Sequence, residues 1–157
     1  MSRDDIVRAV ELAYTGYEKN DMRPLVAMLS PDFEFEMTDS LPYGGKYVGP
    51  DQYVAFWREV GKEWESFSYE ANEIIVTDES IIVPVKTDGL SKKGIRMRNE
   101  HLFHFKYRDG QIVWARLYVD SARGRDVIAG LEPQRFPALD LRPKDADTEP
   151  VKLPVNL

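Results

Sequence analysis

The chain has 157 residues, no cysteine, and a net charge of −6 from 21 Lys and Arg against 27 Asp and Glu; 43% of it is hydrophobic, 31% charged and 11% aromatic. That length suits one domain, the missing thiols exclude disulfides and thiolate chemistry, and the acidic balance argues against a nucleic-acid partner, which needs a basic face. No apolar run approaches the ~20 residues of a membrane span. Met1-Ser2-Arg3-Asp4-Asp5 also lacks the apolar core of a secretory signal, so a cytoplasmic protein with no membrane partner is expected.

Residues 4–19 place Ile6, Val7, Val10, Ala13, Tyr14 and Tyr17 at helical spacing, and Asn20-Asp21 ends that helix. Pro24 fits the first turn of a short second helix through Leu29, and Ser30-Pro31-Asp32 reads as a turn. Phe33 to Thr38 alternates strictly and predicts a half-buried strand with Phe33, Phe35 and Met37 inward. Leu41 to Gly49, rich in Gly, Pro and Tyr, reads as a loop. Asp51 to Phe67 then carries Tyr53, Val54, Phe56, Trp57, Val60 and Trp64 as the aromatic stripe of a third helix.

Thereafter the period switches to strands. Phe67–Val76 and Ile81–Lys86 are joined by a turn at residues 77–80, and Pro84 marks an edge or a bulge. The basic cluster from Lys92 to Arg98 alternates with apolar residues in its second half and reads as an exposed strand face. Ile95–Tyr107 and Gln111–Val119 flank Asp109-Gly110, a strong hairpin signal. Asp120-Ser121 can cap a last short helix through Leu131. Beyond it, residues 132–157 hold five of the ten prolines and read as an extended tail behind one domain spanning residues 1–131.

Helices followed by an antiparallel meander predict an α+β fold with the helices on one face of the sheet. In the last strand Val113, Ala115, Leu117 and Val119 share an apolar face, opposite Trp114, Arg116 and Tyr118. In the strand before it, Met97, Asn99, His101, Phe103 and Phe105 share the inward face.

Three passages, Asn20-Asp21 leading to residues 27–33, Pro42-Tyr43-Gly44-Gly45-Lys46-Tyr47-Val48-Gly49, and Phe105 to Val113, make residues 4–131 resemble the nuclear-transport-factor-2-like superfamily, in its SnoaL-like polyketide cyclase branch. Ketosteroid isomerase is a relative. The resemblance implies a cone-shaped, curved, mixed or antiparallel sheet with three N-terminal helices on its concave face, an internal pocket for a small hydrophobic molecule, and no cofactor. It does not fix the reaction, because this fold hosts many functions. Position matching puts the isomerase tyrosine, base and acid at Ala13, Met37 and near Phe103, and the epoxide-hydrolase acid at Leu117; all four roles are vacant.

Candidate groups remain, each with a plainer role beside it. Asp39 falls on the Met37 face if the strand continues, where burial would raise its pKa and fit it for proton transfer, or else it caps the strand into a loop. His101, inward and near-neutral in titration, is the natural acid–base partner, or else a core histidine. The resemblance implies an acid at Asp120, which is equally a helix cap. Tyr14, Tyr17, Tyr43, Trp57, Asn99, Phe103, Ala115 and Leu117 are expected to line the pocket, although aromatic stripes are usually core. His101 and His104 face opposite sides of a strand, so no metal site is expected. The outward Trp114, Arg116 and Tyr118 suggest a homodimer interface. A cyclase or isomerase and a non-catalytic binding or dimerisation module both fit.

Overall fold

The computed structural model describes residues 2–17, 19–138 and 152–156. Helix α1 (Arg3–Tyr14) starts with a capping box between Ser2 and Asp5 and is followed by α2 (Arg23–Val26), with Pro24 in its first turn. Strands β1 (Leu29–Met37) and β2 (Gly45–Val48) precede α3 (Gly49–Glu63). Strands β3 (Trp64–Ala71), β4 (Ile75–Val76), β5 (Ser80–Ser91), β6 (Arg96–Arg108) and β7 (Gln111–Val119) lead to α4 (Ser121–Ile128). The strands form one sheet in the order β2-β1-β7-β6-β5-β3, with β4 also on β5. Among the described residues only β1–β7 is parallel; the other pairings are antiparallel. The fold is α+β, an open curved sheet with four helices.

One face of the sheet carries the core. Phe33, Phe35 and Met37 of β1, Ala115 and Leu117 of β7, Phe103 and Phe105 of β6, Ile81, Val83 and Val85 of β5, and Tyr69 of β3 are all buried. Against them pack Ile6, Val10, Ala13 and Tyr14 of α1 and Tyr53, Phe56 and Val60 of α3. Alternation therefore places the predicted face correctly, with one phase change. The β6–β7 register slips between Lys106 and Tyr107, so Ile112 is buried where Val113 was expected.

Several boundaries differ from the sequence reading, each for a tertiary reason. Helix α1 stops at Tyr14, because Thr15 is extended and Gly16 has φ 70°. Residues 30–32 lie within β1 rather than in a turn, at an irregularity in the β1–β7 register that tolerates Pro31. Within the expected loop, β2 pairs with β1 from Glu34 to Met37. Helix α3 ends at Glu63 and Trp64 opens β3, its indole lying over Gly89, where a Cβ would meet the ring at 3.0 Å. That glycine keeps β5 running through residues expected to leave the sheet. Pro84 sits at the break between β3 and β4, where the ladder on that side of β5 is interrupted; its carbonyl accepts the Asn72 N–H. Asp109 (φ 53°) and Gly110 (φ 73°) form the predicted tight hairpin. Beyond α4 the described residues 129–138 and 152–156 form neither helix nor strand; the rest of the expected tail lies outside the described residues.

Candidate functional site

Between α2, α3 and β3 a groove of about 620 Å³ opens to the surface, lined chiefly by Met22, Val26, Val54, Trp57, Phe67 and Tyr69. Its volume lies in the range of small-molecule sites, and its walls are mostly apolar. Asn20 fixes its lip: the side-chain amide donates to the Tyr69 carbonyl (3.0 Å) and accepts the Tyr69 N–H (2.9 Å), acting as a short strand against the edge of β3. The rim cation Arg23 is held by both oxygens of Asp21.

Beneath the groove lies a cluster of phenols. Tyr14 projects from α1, Tyr53 from α3 and Tyr69 from β3, all inaccessible to solvent or nearly so. Tyr69 packs edge-on against Tyr14 (5.6 Å between centroids) and Trp57 (6.1 Å). The Tyr53 hydroxyl lies close enough to that of Tyr14 and to the Trp57 indole N–H for each contact to perturb its titration as a hydrogen bond would, yet none of the three groups makes a hydrogen bond of normal geometry. Burial pushes the Tyr14 and Tyr69 phenols well above their ordinary pKa and raises that of Tyr53, so all three stay protonated donors. Tyr43 is different: its hydroxyl accepts the Trp64 indole N–H at 3.1 Å, and burial pushes its pKa up to about 12.

His101 stands on the inner face of β6 behind Phe67, the rings stacked at 6.0 Å, and 6.4 Å from the ring of Tyr69. Its Nδ1 has no partner. Burial drives its pKa down to about 4, opposed by the Asp120 carboxylate, so at neutral pH it is an uncharged imidazole. Thr87 on β5, cross-strand from Tyr69, also buries an unpaired hydroxyl. Five buried polar atoms thus surround Tyr69 or adjoin it without hydrogen bonds. A buried polar group left unpaired costs about 1–3 kcal/mol, so such a concentration calls for an explanation. The sixth unpaired atom, Ser30 Oγ, belongs to the start of β1.

The other expected site residues divide. Tyr14 and Trp57 join the site, and Tyr43 borders it. Phe103 packs against Tyr14 and Tyr69, while Ala115 and Leu117 are core residues of the inner face that do not line the groove. Asn99 is buried, but its amide is spent on the Asp120 carbonyl and on the N–H of Glu100. Tyr17 was expected in the interior; instead it is exposed beside Lys86, Asp88, Arg98 and Arg123 around a separate charged recess, because α1 ends before it. Asp39 was expected inward beyond Met37. It is exposed in a turn, because the backbone at Gly44 crosses so close to Thr38 and Asp39 that a Cβ there would lie 1.8 Å from the Thr38 carbonyl oxygen. No Asp39–His101 hydrogen bond forms. Asp120 is exposed and caps α4 through the Arg123 N–H (3.2 Å). Sequence reasoning did not single out Tyr53, Phe67, Tyr69, Thr87 or Asn20 as site residues. Periodicity marked Tyr53 as inward, but nothing in it reports an unpaired hydroxyl. Among the described residues no three His, Asp or Glu side chains converge as a metal site would require, and no helix is long and apolar enough to cross a membrane.

A search of curated proteins finds no match. Among solved structures, the chain is similar to an NTF2-like protein of unknown function from Burkholderia pseudomallei, with a TM-score of 0.72 and 24% identity over 82% of this chain and 98% of that one. It is also similar to TerC co-crystallized with polyporic acid, with a TM-score of 0.71 and 17% identity over 80% and 98% of the two chains. A protein from Jannaschia described as a SnoaL-like polyketide cyclase gives 0.66 and 17% identity over 82% and 96%. At these identities the likeness speaks for the fold alone. The SnoaL-like domain model matches residues 10–115, more than half of the sequence, and the chain belongs to that family.

Proposed function

We propose that the protein holds a small hydrophobic cyclic molecule in the groove, with an oxygen of that molecule on the phenol cluster, and that His101 exchanges a proton with it, as in a cofactor-independent isomerase or cyclase. The observation that carries this reading is the set of buried polar atoms without partners: Tyr14, Tyr53, Trp57, Thr87 and His101. A carbonyl oxygen placed on Tyr14, Tyr53 and Trp57 would receive the hydrogen bonds these groups lack. When a proton leaves the adjacent carbon for His101, the electron pair moves onto that oxygen, and the same donors stabilise the growing negative charge. Return of the proton at another carbon completes an isomerisation; attack of the enolate on a second carbonyl completes a ring closure. The structural likeness to TerC co-crystallized with polyporic acid supports a cyclic ligand in this fold.

A second reading, a binding module without catalysis, draws on the exposed Asp39, which leaves His101 without a carboxylate partner, and on Phe67, which stands between His101 and the groove. One experiment separates the two. In heavy water, the wild type should accelerate deuterium uptake at the carbon beside the carbonyl of a bicyclic ketone such as tetralone, and His101→Gln should lose that acceleration while still binding. Binding without exchange leaves the binding module. No binding sinks both.

We also propose that a second copy of this chain covers the outer face of the sheet. Trp114, Arg116 and Tyr118 lie there, with Glu34 and Glu36 on β1 to one side and Lys106 and Arg108 on β6 to the other. A two-fold axis along β7 would bring the β1 side, where Glu34 and Glu36 also pair with Lys46 and Arg116 of their own chain, onto the partner's basic β6 side. Sedimentation should report a dimer that Tyr118→Glu dissociates; a monomeric wild type sinks the proposal.

A further inference from the structure

The sheet ends at β3, and the backbone of that strand faces two ways. Just past it, the Asn72 N–H bonds the Pro84 carbonyl on β5, whereas the N–H and carbonyl of Tyr69 both bond the Asn20 side chain on the other side. Backbone groups alternate in direction along a strand, so Phe67 turns its N–H and carbonyl the same way as Tyr69, towards the outer edge. Among the described residues no loop backbone or side chain bonds them there. The Phe67 and Tyr69 side chains line the groove. The groove is thus bordered by an unpaired length of strand edge, which is a place for one more strand. Asn20 already imitates such a strand at Tyr69.

The sequence holds a segment with the matching pattern. Residues 151–157, Val-Lys-Leu-Pro-Val-Asn-Leu, alternate the apolar Val151, Leu153, Val155 and Leu157 with Lys152, Pro154 and Asn156. Leu153 and Val155 are 54% and 61% exposed, so the fold leaves their side chains mostly uncovered. Pro154 fixes the direction in which the segment can add. In antiparallel addition the residues that face the groove also turn their N–H and carbonyl towards β3, and the residues between them turn away. With Leu153 and Val155 inward, Pro154 then faces solvent, where its missing N–H is not needed. Parallel addition with the same side chains inward would set Pro154 against β3, where a donor is required. Reach is sufficient. Gly130 lies against the Lys93 side chain in the β5–β6 turn, and Ser91, at the end of β5, pairs with Trp64 at the start of β3. Phe67 is therefore on the order of 20 Å from Gly130, and residues 131–150 can extend to about 60 Å.

We infer that the outer edge of β3 and the adjoining groove form a strand-docking site whose occupant is segment 151–157 of the same chain, added antiparallel beside Phe67 with Leu153 and Val155 directed into the groove. The site does not depend on a small-molecule ligand. A ligand entering the groove would displace the segment.

The test is amide hydrogen exchange on the full chain, followed at Phe67 and Tyr69, with Leu153→Asp and Pro154→Ala as variants. Both substitutions fall on exposed positions, so the fold should persist. Leu153→Asp should speed exchange at Phe67 by about tenfold or more, while Tyr69, held by Asn20, should change by less than about twofold. Pro154→Ala should leave both amides as in the wild type, because no donor is required at that position. A Phe67 amide that exchanges equally fast in the wild type and in Leu153→Asp would overturn the inference. Protection at Phe67 that grows with protein concentration would mean that a second copy supplies the segment, and would overturn it too. Loss of protection in Pro154→Ala would contradict the antiparallel orientation on which the docking rests.

Discussion

His101 and His104 sit three residues apart on β6 and face opposite sides of the same sheet. His104 is hydrogen-bonded to Ser80 at 3.0 Å and packs edge-on against Trp114 at 5.3 Å. Around it the outer face is paired: Arg116 with Glu36 and Lys46 with Glu34, each at 3.1 Å, and Arg96 with Asp88. His101, deeper and drier, leaves Nδ1 unpaired, and its diagonal neighbour Thr87 leaves Oγ1 unpaired, although Asn99 beside them is bonded. Desolvation makes an unpaired polar atom far costlier inside than at the surface. The sheet therefore satisfies its polar groups where failure would be cheap and leaves them open where it is expensive. That inversion is what the ligand proposed above would resolve.

The largest expected effect comes from acid. The pKa of His101 is about 4 in the folded chain against an ordinary value near 6.5, so between these values the unfolded chain binds more protons than the folded one. Stability should be intact above pH 6.5 and fall as the pH drops towards 4, by up to about 3 kcal/mol. Urea denaturation at a series of pH values measures this slope. His101→Leu should flatten it. His104→Gln should remove only a smaller part, since the same downward shift on that outer histidine arises from milder burial and from Lys106. Equal contributions from the two histidines would break the contrast between the faces.

Next in size is Asn20→Ala. Asn20 at the groove is engaged through two bonds to the Tyr69 backbone. Its loss should cost about 1–3 kcal/mol and loosen the lip, read as faster amide exchange at Tyr69. Arg116→Ala on the outer face should cost less than about 1 kcal/mol of protomer stability, because its partner Glu36 remains partly hydrated. Ser80→Ala should change stability by no more than about 0.5 kcal/mol, as water can replace the hydroxyl at His104.

Much of the fold was legible in the sequence because it follows from local periodicity. Alternation marked the inner residues of β1 and β6, and Asp109-Gly110 announced its own turn. Trp64 shows where periodicity stops informing: seven residues after Trp57, it keeps the helical spacing, yet it opens β3 because its ring docks over Gly89 and reaches Tyr43. Asp39 failed for a similar reason, since only the close crossing at Gly44 turns it outward. In the candidate site, Tyr14, Trp57 and His101 were visible as inward residues. The unpaired state of Tyr53 and Thr87 was not, because hydrogen-bond satisfaction depends on neighbours far along the chain.

The most direct measurement is a crystal structure of the protein as purified, with density sought between Trp57, Tyr69 and Tyr53. The account predicts a bound ring compound whose oxygen lies within hydrogen-bond distance of the Tyr14 or Tyr53 hydroxyl. Ordered waters pairing all five interior atoms in an otherwise closed core would contradict it, since the interior would then be satisfied without a ligand.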